Sequence, residues 1–553
     1  MQRMKKVVPV LTIIGLMLCA VIGYLGYTAV RKYWPTKEPS DLEKYYGVSG
    51  EKTAIFLDNE LQDEVGIAQN GQVYLPISWI NEKINQRFYW DSNEKLLVYA
   101  LPESIVYADQ ETKSSSGVPF LLITDEETYL SAELAASYTD IRVETFLTEP
   151  VKRIFIDTDW EPDQWYALKR KGALRERGGV KSPVVAQEEE GTSVKVLEAM
   201  ERWAKVRTED GHIGYIERRR LGEEETVNYV STFQEPVYQN ISMEEKVCLV
   251  WHQVTSKSAN GQIQSLLSNT KGVNVVSPTW FSLTDNEGNF SSLADKDYVE
   301  YLHRQGIQVW ALLDNFSSQV QSEILLSRTS VRRKLIDGLM AAVEEYDLDG
   351  LNLDFEGIKE IAGPHYLQFI RELSVSCRKA GVVLSVDNYV PAAHNTFYDR
   401  HEQGIVADYV IIMGYDEHYA GGEPGPVASY GYVKDGIENT LQQVPAKKVI
   451  NAVPFYTRVW KEGPEGTSSD ALGIADAKAW VERKNVELTW QDDLGLYYGQ
   501  IDDEGVHKQI WMEEERSLGL KMDLIQANDL AGVACWKLGF EPADIWDVIQ
   551  FDD

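Results

Sequence analysis

Asn352, Asp354 and Glu356 alternate with Leu351, Leu353 and Phe355 in the stretch DLDGLNLDFEGI, residues 347–358. Successive side chains of a strand point to opposite faces, so the three polar groups share one side and the apolar ones the other. Carboxyl groups on one face of so apolar a strand are costly unless paired, hydrogen-bonded or used. Two of them this close cannot both ionise readily, so one proton is retained near neutral pH. Such a pair supplies a protonated acid without an external source, which is what general acid–base chemistry requires.

The elements that must position this face follow from the rhythm of the chain after about residue 240. Apolar strand candidates lie at 246–251, 272–280, 306–315, 348–356, 382–389, 407–416, 448–456 and 531–539. Amphipathic segments such as SVRRKLIDGLMAAVEEY (330–346) and HYLQFIRELSVSCRKAG (365–381) separate them. Eight strand–helix units predict a parallel (β/α)₈ TIM barrel over 240–553. Lys461 to Asp529 is too long for one crossover and predicts an insertion between strands seven and eight. In such a barrel Leu351, Leu353 and Phe355 pack on outer helices while Asn352, Asp354 and Glu356 point inward. Glu356 then ends its strand at the rim where barrel enzymes keep their chemistry.

The chain ahead of the barrel predicts a multidomain protein. Val7 to Val30 carries no charge and follows Arg3, Lys5 and Lys6, which predicts a transmembrane anchor over 7–30 with an extracytoplasmic bulk. A linker rich in proline and charge fills 31–48. Two stretches starting at Tyr74 and Tyr129 repeat one pattern: a strand end, an amphipathic helix, then two short strands. Residues 166–224 read as a small all-β unit with turns such as Asp210-Gly211.

Composition narrows the function. With 86 acidic against 54 basic residues the net charge is −32, which repels phosphate backbones and argues against nucleic-acid partners. Cys19, Cys248, Cys377 and Cys535 are scattered with no metal-ligand spacing, and they read as free thiols. No metal or organic cofactor is expected.

Motifs along the chain carry family resemblances. DGLNLDFE resembles the DxxDxDxE signature of glycoside hydrolase family 18; MGYD (413–416), PFYTRVW (454–460) and GVACWKLG (532–539) resemble its later strand motifs, in order. The resemblance is strongest to the bacterial cell-wall and spore-associated branch. It implies a hydrolase of β-linked N-acetylglucosamine glycans, peptidoglycan above all, in which the substrate's own acetamido oxygen attacks the anomeric carbon. By that resemblance Glu356 is the acid and then the base, Asp354 orients the acetamide, and Tyr415 donates to its carbonyl. Asp416 and Met413 contact the sugar, Trp536 floors it, and Asn352 stands where the family usually has aspartate, with an amide able to bond Asp354. Asp349, on the outward parity, reads as structural. Trp251, Trp280, Trp310 and Trp460 are read equally as sugar platforms or core. A non-catalytic glycan-binding wall sensor on the same barrel is the alternative. A hydrolase with a second protein carboxylate, Asp387 or Asp416, as nucleophile is a third reading.

Two further resemblances lie upstream. WAKVRTEDGHIGYI is similar to bacterial Src-homology-3-like domains, which implies a cell-wall peptide as partner, with Trp203 and Tyr215 lining a groove or filling a core. The repeated pattern over 49–160 resembles the copper amine oxidase N-terminal-like domain, which implies a stalk and, without a histidine cluster, no copper.

Overall fold

The computed structural model of the protein describes residues 4–148 and 150–551. The chain divides into two compact units, Met1–Phe88 with Ala108–Glu235 and Tyr89–Tyr107 with Pro236–Asp553.

In the first unit, the helix Met4–Tyr33 contains the apolar run Thr12–Tyr33, with a mean hydropathy of 2.0. By length and composition this run can cross a membrane, and a signal sequence has the same character. Beyond it, both copies of the repeated pattern open alike. Strand Gln72–Pro76 runs into helix Ile77–Lys83, and strand Thr128–Ser131 into helix Ala132–Ser137. The copies then part. Arg142–Phe146 and Lys152–Asp157 of the second join a seven-stranded sheet in which Lys152–Asp157 pairs in parallel with Lys52–Leu57. Tyr89–Asp91 and Leu96–Ala100 of the first instead join Ile105–Ala108 in a separate three-stranded sheet. The span 49–160, expected as one module, is thus shared between the two units, because Tyr89–Tyr107 packs with the second.

The all-β unit is an antiparallel seven-stranded sheet from Asp163–Leu168 to Leu221–Val227. Its core holds Leu174, Val194, Ala204, Val206 and Ile216. Trp203 and Tyr215 alternate with Ala204 and Ile216 along their strands, so they lie on the other face, where they are half-buried.

The second unit is built on eight parallel strands: Val247–His252, Val275–Pro278, Gln308–Asp314, Gly350–Asp354, Val383–Tyr389, Tyr409–Met413, Val449–Pro454 and Gly532–Trp536. They pair in sequence, and the first pairs with the eighth, so the sheet closes into a barrel. Alternation sorts the side chains into two cores. Leu351, Leu353 and Phe355 join the layer between sheet and helices, which also holds Leu335, Leu339 and Phe369. Trp251, Trp310, Leu312, Val383, Tyr409 and Ile411 fill the barrel interior. Cys248, Cys377 and Cys535 are free and buried, and Cys19 is free and exposed.

The insertion between strands seven and eight starts slightly earlier than expected, at Tyr456, and forms a five-stranded antiparallel sheet from Tyr456–Gly463 to Val506–Met512. Helix Ile474–Lys484 packs on it through Ala477 and Trp480, and helix Glu515–Ala527 returns the chain to strand eight.

The three-stranded sheet has a defined job within its unit. Helix Thr329–Tyr346, which precedes strand four, has no side-chain cap of its own. Asp91 supplies one, accepting from Thr329 N at 2.6 Å and Thr329 Oγ1 at 2.7 Å. Next to it the buried Arg332 donates to Glu372 at 2.8 Å while its guanidinium lies 4.6 Å from the Tyr89 ring.

Candidate active site

Strand four delivers Asn352 and Asp354 inward, and the chain just past its end delivers Glu356. Register brings neighbours to them: Leu312 and Ser385 lie opposite Asn352, and Asp314 lies opposite Asp354. Two residues beyond Ser385, on the same face of strand five, stands Asp387. Two further on stands Tyr389.

Four of these side chains converge on a cavity of about 160 Å³ at the C-terminal ends of the strands. Asp354, Glu356, Asp387 and Tyr389 form its polar side; Trp251, Met413, Tyr415 and Trp536 form its apolar side, and Phe316 and Asp416 complete it. The structure therefore gathers six of the expected site residues in one place: Glu356, Asp354, Tyr415, Asp416, Met413 and Trp536. Trp251 and Trp536 meet at 5.9 Å between ring centroids, tilted by 59°.

Glu356 is held at both backbone and side chain. Asn315 Nδ2 donates to Glu356 O at 2.8 Å and Asn315 Oδ1 accepts from Glu356 N at 2.9 Å. Tyr389 donates its hydroxyl to Glu356 Oε2 at 2.7 Å. Burial raises the Glu356 carboxyl above its ordinary value, the Tyr389 hydrogen bond opposes that rise, and the charge of Asp416 adds to it. Glu356 thus keeps its proton to higher pH than a free carboxyl, as an acid catalyst must.

Asp354 is only 7% exposed and Asp387 only 2%. Burial first, then the charges of Asp387, Glu356 and Asp314, push the Asp354 carboxyl well above the carboxylate range. Burial does the same to Asp387, against a hydrogen bond from Asn352. Asp354 Oδ1 is buried without a hydrogen-bond partner among the described residues. The Asp354 carboxyl lines the cavity without a protein donor, and a substrate N–H can meet it there. Burial and the neighbouring carboxyls also raise the Tyr415 hydroxyl well above its usual value, so it stays a donor.

Asn352 differs from expectation. It is fully buried beneath the cavity and does not line it. Its Oδ1 accepts from Trp251 Nε1 at 2.9 Å and Ser277 Oγ at 3.1 Å, and its Nδ2 donates to Ser385 Oγ at 3.0 Å and Asp387 Oδ1 at 2.8 Å. The expected bond to Asp354 is absent because residues two apart on a strand point the same way without facing each other, whereas the neighbouring strand does face Asn352. Asn352 is a buried hub, not a sugar contact.

Asp349 lies at the opposite end of strand four. Its Oδ2 accepts from Val309 N at 2.7 Å and sits 2.8 Å from His303 Nε2. Asp349→Ala should cost roughly 1–3 kcal/mol of stability, read as a lower denaturation midpoint, and leave the pH profile of activity where it was. Asp416 accepts from the Tyr456 hydroxyl at 2.6 Å and has Arg458 at 3.5 Å, so the insertion's first strand orients it.

Of the four tryptophans weighed as platforms, Trp251 reaches the cavity wall. Trp310 stacks on Tyr409 inside the barrel, Trp280 donates to Asn260, and Trp460 donates to Gly425 O, all three buried. Tyr389, Phe316 and Asn315 were not expected. Alternation from Asp387 could have revealed Tyr389; Phe316 and Asn315 follow the end of strand three, where no periodicity marks them. Tyr389→Phe removes a bond that favours the charged form of Glu356, so the alkaline limb of kcat/KM should move up by about one pH unit. An unmoved limb in a pH–rate profile would separate Tyr389 from the acid.

Comparison with known proteins agrees with this arrangement. Residues 237–541, more than half of the chain, match Glycosyl hydrolases family 18, and residues 171–222 match the Bacterial SH3 domain. The chain is 24% identical over 291 residues to the uncharacterized glycosylase YvbX of Bacillus subtilis, covering 50% of this chain and 84% of that protein. It is 27% identical over 256 residues to the cortical fragment-lytic enzyme of Bacillus subtilis, covering 44% of this chain and 59% of that protein. In fold it is similar to a chitinase from Chromobacterium violaceum, with a TM-score of 0.50 and 22% identity over 55% of this chain and 98% of the other. With that match spanning the barrel and its cavity, the chain belongs to family 18 of the glycosyl hydrolases and is a glycoside hydrolase carrying a bacterial SH3 domain.

Proposed function

We propose that the protein cleaves β-linked N-acetylglucosamine-containing glycans, with peptidoglycan as the substrate, by substrate-assisted retaining catalysis. The observation that carries this reading is one cavity lined by Asp354, Glu356 and Tyr415, with both carboxyls raised above their ordinary values by burial. An acetamide N–H on Asp354 and a donor hydroxyl from Tyr415 on its carbonyl would turn the acetamido oxygen toward the anomeric carbon. Glu356 protonates the leaving oxygen as that attack proceeds and then takes a proton from the incoming water. Trp536 and Trp251 offer the apolar face on which a sugar ring rests. No protein nucleophile is required, and the product keeps its anomeric configuration.

Peptidoglycan is favoured over chitin by what surrounds the barrel. The cortical fragment-lytic relative, the SH3 domain and the apolar first helix all suit a protein tethered at the membrane with its bulk facing the wall. The repeated module over 49–160 serves as the stalk. Mass spectrometry of products from defined muropeptides, with proton NMR of the freshly released reducing end, tests the reading. Cleavage at an N-acetylglucosamine linkage with the β-anomer appearing first is expected; the α-anomer first would end the substrate-assisted mechanism. Trp203 and Tyr215, half-exposed on one face, are the proposed contact with wall peptides. Trp203→Ala should reduce co-sedimentation with insoluble wall while activity on a soluble muropeptide stays the same.

A further inference from the structure

We infer that Asp387 is the proton partner of Asp354: the two carboxyls hold one proton between them, and Asp387 takes it up as Asp354 becomes anionic against the substrate. This rests on the hydrolytic reading above and adds a positioning residue on strand five to it. The inference begins with Asn352. An amide cannot exchange a proton with Asp354, and here it is committed elsewhere, with all four of its hydrogen bonds accounted for by Trp251, Ser277, Ser385 and Asp387. One of those bonds, from Nδ2 to Asp387 Oδ1, ties down one Asp387 oxygen and fixes where the carboxyl sits.

Parity then does the rest. Asn352 is opposite Ser385, so two residues further along each strand Asp354 and Asp387 face the same interior layer. Both line the cavity and both are buried. Two buried carboxyls side by side cannot both ionise, and their charge forms are coupled. The charged and titratable groups around them are Asp314 from strand three, Glu356 after strand four, Tyr389 from strand five, and Tyr415 and Asp416 after strand six. The pair in turn adds to the rise of the Tyr366 hydroxyl, and Asp354 to that of Tyr398, both caused first by burial. The residues that line the cavity include no lysine or arginine; Arg458 lies 3.5 Å from Asp416, outside that lining.

The proton count stays balanced through the reaction. Before attack the pair carries one proton and a single negative charge, with the Asp354 carboxyl lining the cavity that receives the acetamide. As positive charge builds on the acetamido group, the proton shifts from Asp354 to Asp387 and the negative charge moves the other way. The pair ends with the same proton and the same net charge, and nothing is exchanged with solvent. Glu356 remains the only group that gives a proton to the leaving oxygen.

The test uses the full chain and two readouts. Carbon-13 NMR of labelled aspartate follows the titration of Asp354 without substrate, and pH–rate profiles on soluble muropeptides follow turnover. Asp387→Asn should lower kcat by roughly 10–100-fold with KM little changed, and move the acidic limb of the profile. In the same variant the Asp354 resonance should titrate in a single, lower step. Asn352→Asp combined with Asp387→Asn exchanges carboxyl and amide across the same hydrogen bond, so it should recover part of the lost kcat and the displaced titration. It also covers the case in which the single variant fails to fold. A wild-type rate and profile in Asp387→Asn, or an Asp354 titration blind to either change, overturns the inference. A wild type inactive on both peptidoglycan and chitin oligosaccharides overturns the functional reading instead, and the titration alone then decides the pairing.

Discussion

Glu356→Gln should reduce release of reducing ends from purified peptidoglycan by at least roughly 10²–10⁴-fold, the worth of a positioned proton transfer. Glutamine preserves the shape of the side chain and can still accept from the Tyr389 hydroxyl, which bonds Glu356 Oε2 at 2.7 Å. What disappears is the titratable proton of a carboxyl that burial raises above its ordinary value. The backbone clamp from Asn315 is untouched, so the variant should fold and bind glycan as before. Loss of kcat at unchanged KM is therefore expected, in the pattern of an interaction made only in the transition state. Equal release by variant and wild type would remove Glu356 from the chemistry and leave a glycan-binding barrel as the better account.

Asp354→Asn should cost about 10²–10³-fold in kcat, because a carboxylate facing developing positive charge in a dry site is replaced by a neutral dipole. Here the sign of the pH effect discriminates. The Asp354 carboxyl is raised well above the ordinary range by burial and by its acidic neighbours. Removing its negative form makes the neighbouring carboxyls easier to ionise, so the alkaline limb attributed to Glu356 should move down. A variant with wild-type turnover, or an alkaline limb that moves up, would contradict this assignment of roles. Asparagine also replaces one acceptor oxygen of this cavity-lining carboxyl with an N–H donor, so affinity for an N-acetylated sugar should fall as well.

Both variants depend on a face that local chemistry already specifies. The period of two in GLNLDFE sends Leu351, Leu353 and Phe355 to the helix layer and Asn352 and Asp354 to the barrel interior, and the cores are sorted accordingly. The eight strands were legible for the same reason. Each is a short apolar run between amphipathic helices, and a parallel strand buried on both faces needs that composition. The barrel, its insertion and the inward face of Asp354 and Glu356 follow from patterns confined to a few residues each; Tyr415, Asp416, Met413 and Trp536 were assigned only by the resemblance of their motifs to the family.

What only the tertiary structure decided are relations between segments far apart in the chain. Whether Asn352 meets Asp354 or Asp387 depends on which strand lies beside strand four and in what register, and periodicity within one strand carries no such information. Tyr389 on Glu356 and Asn315 clamping its backbone are of the same kind. So is the division of the repeated module, where Asp91 leaves its own copy to cap the helix at Thr329. Alternation is a local steric property and can be read from spacing. Choice of partner is settled by global packing, where burial forces each polar group to find whichever complement the closed barrel brings near.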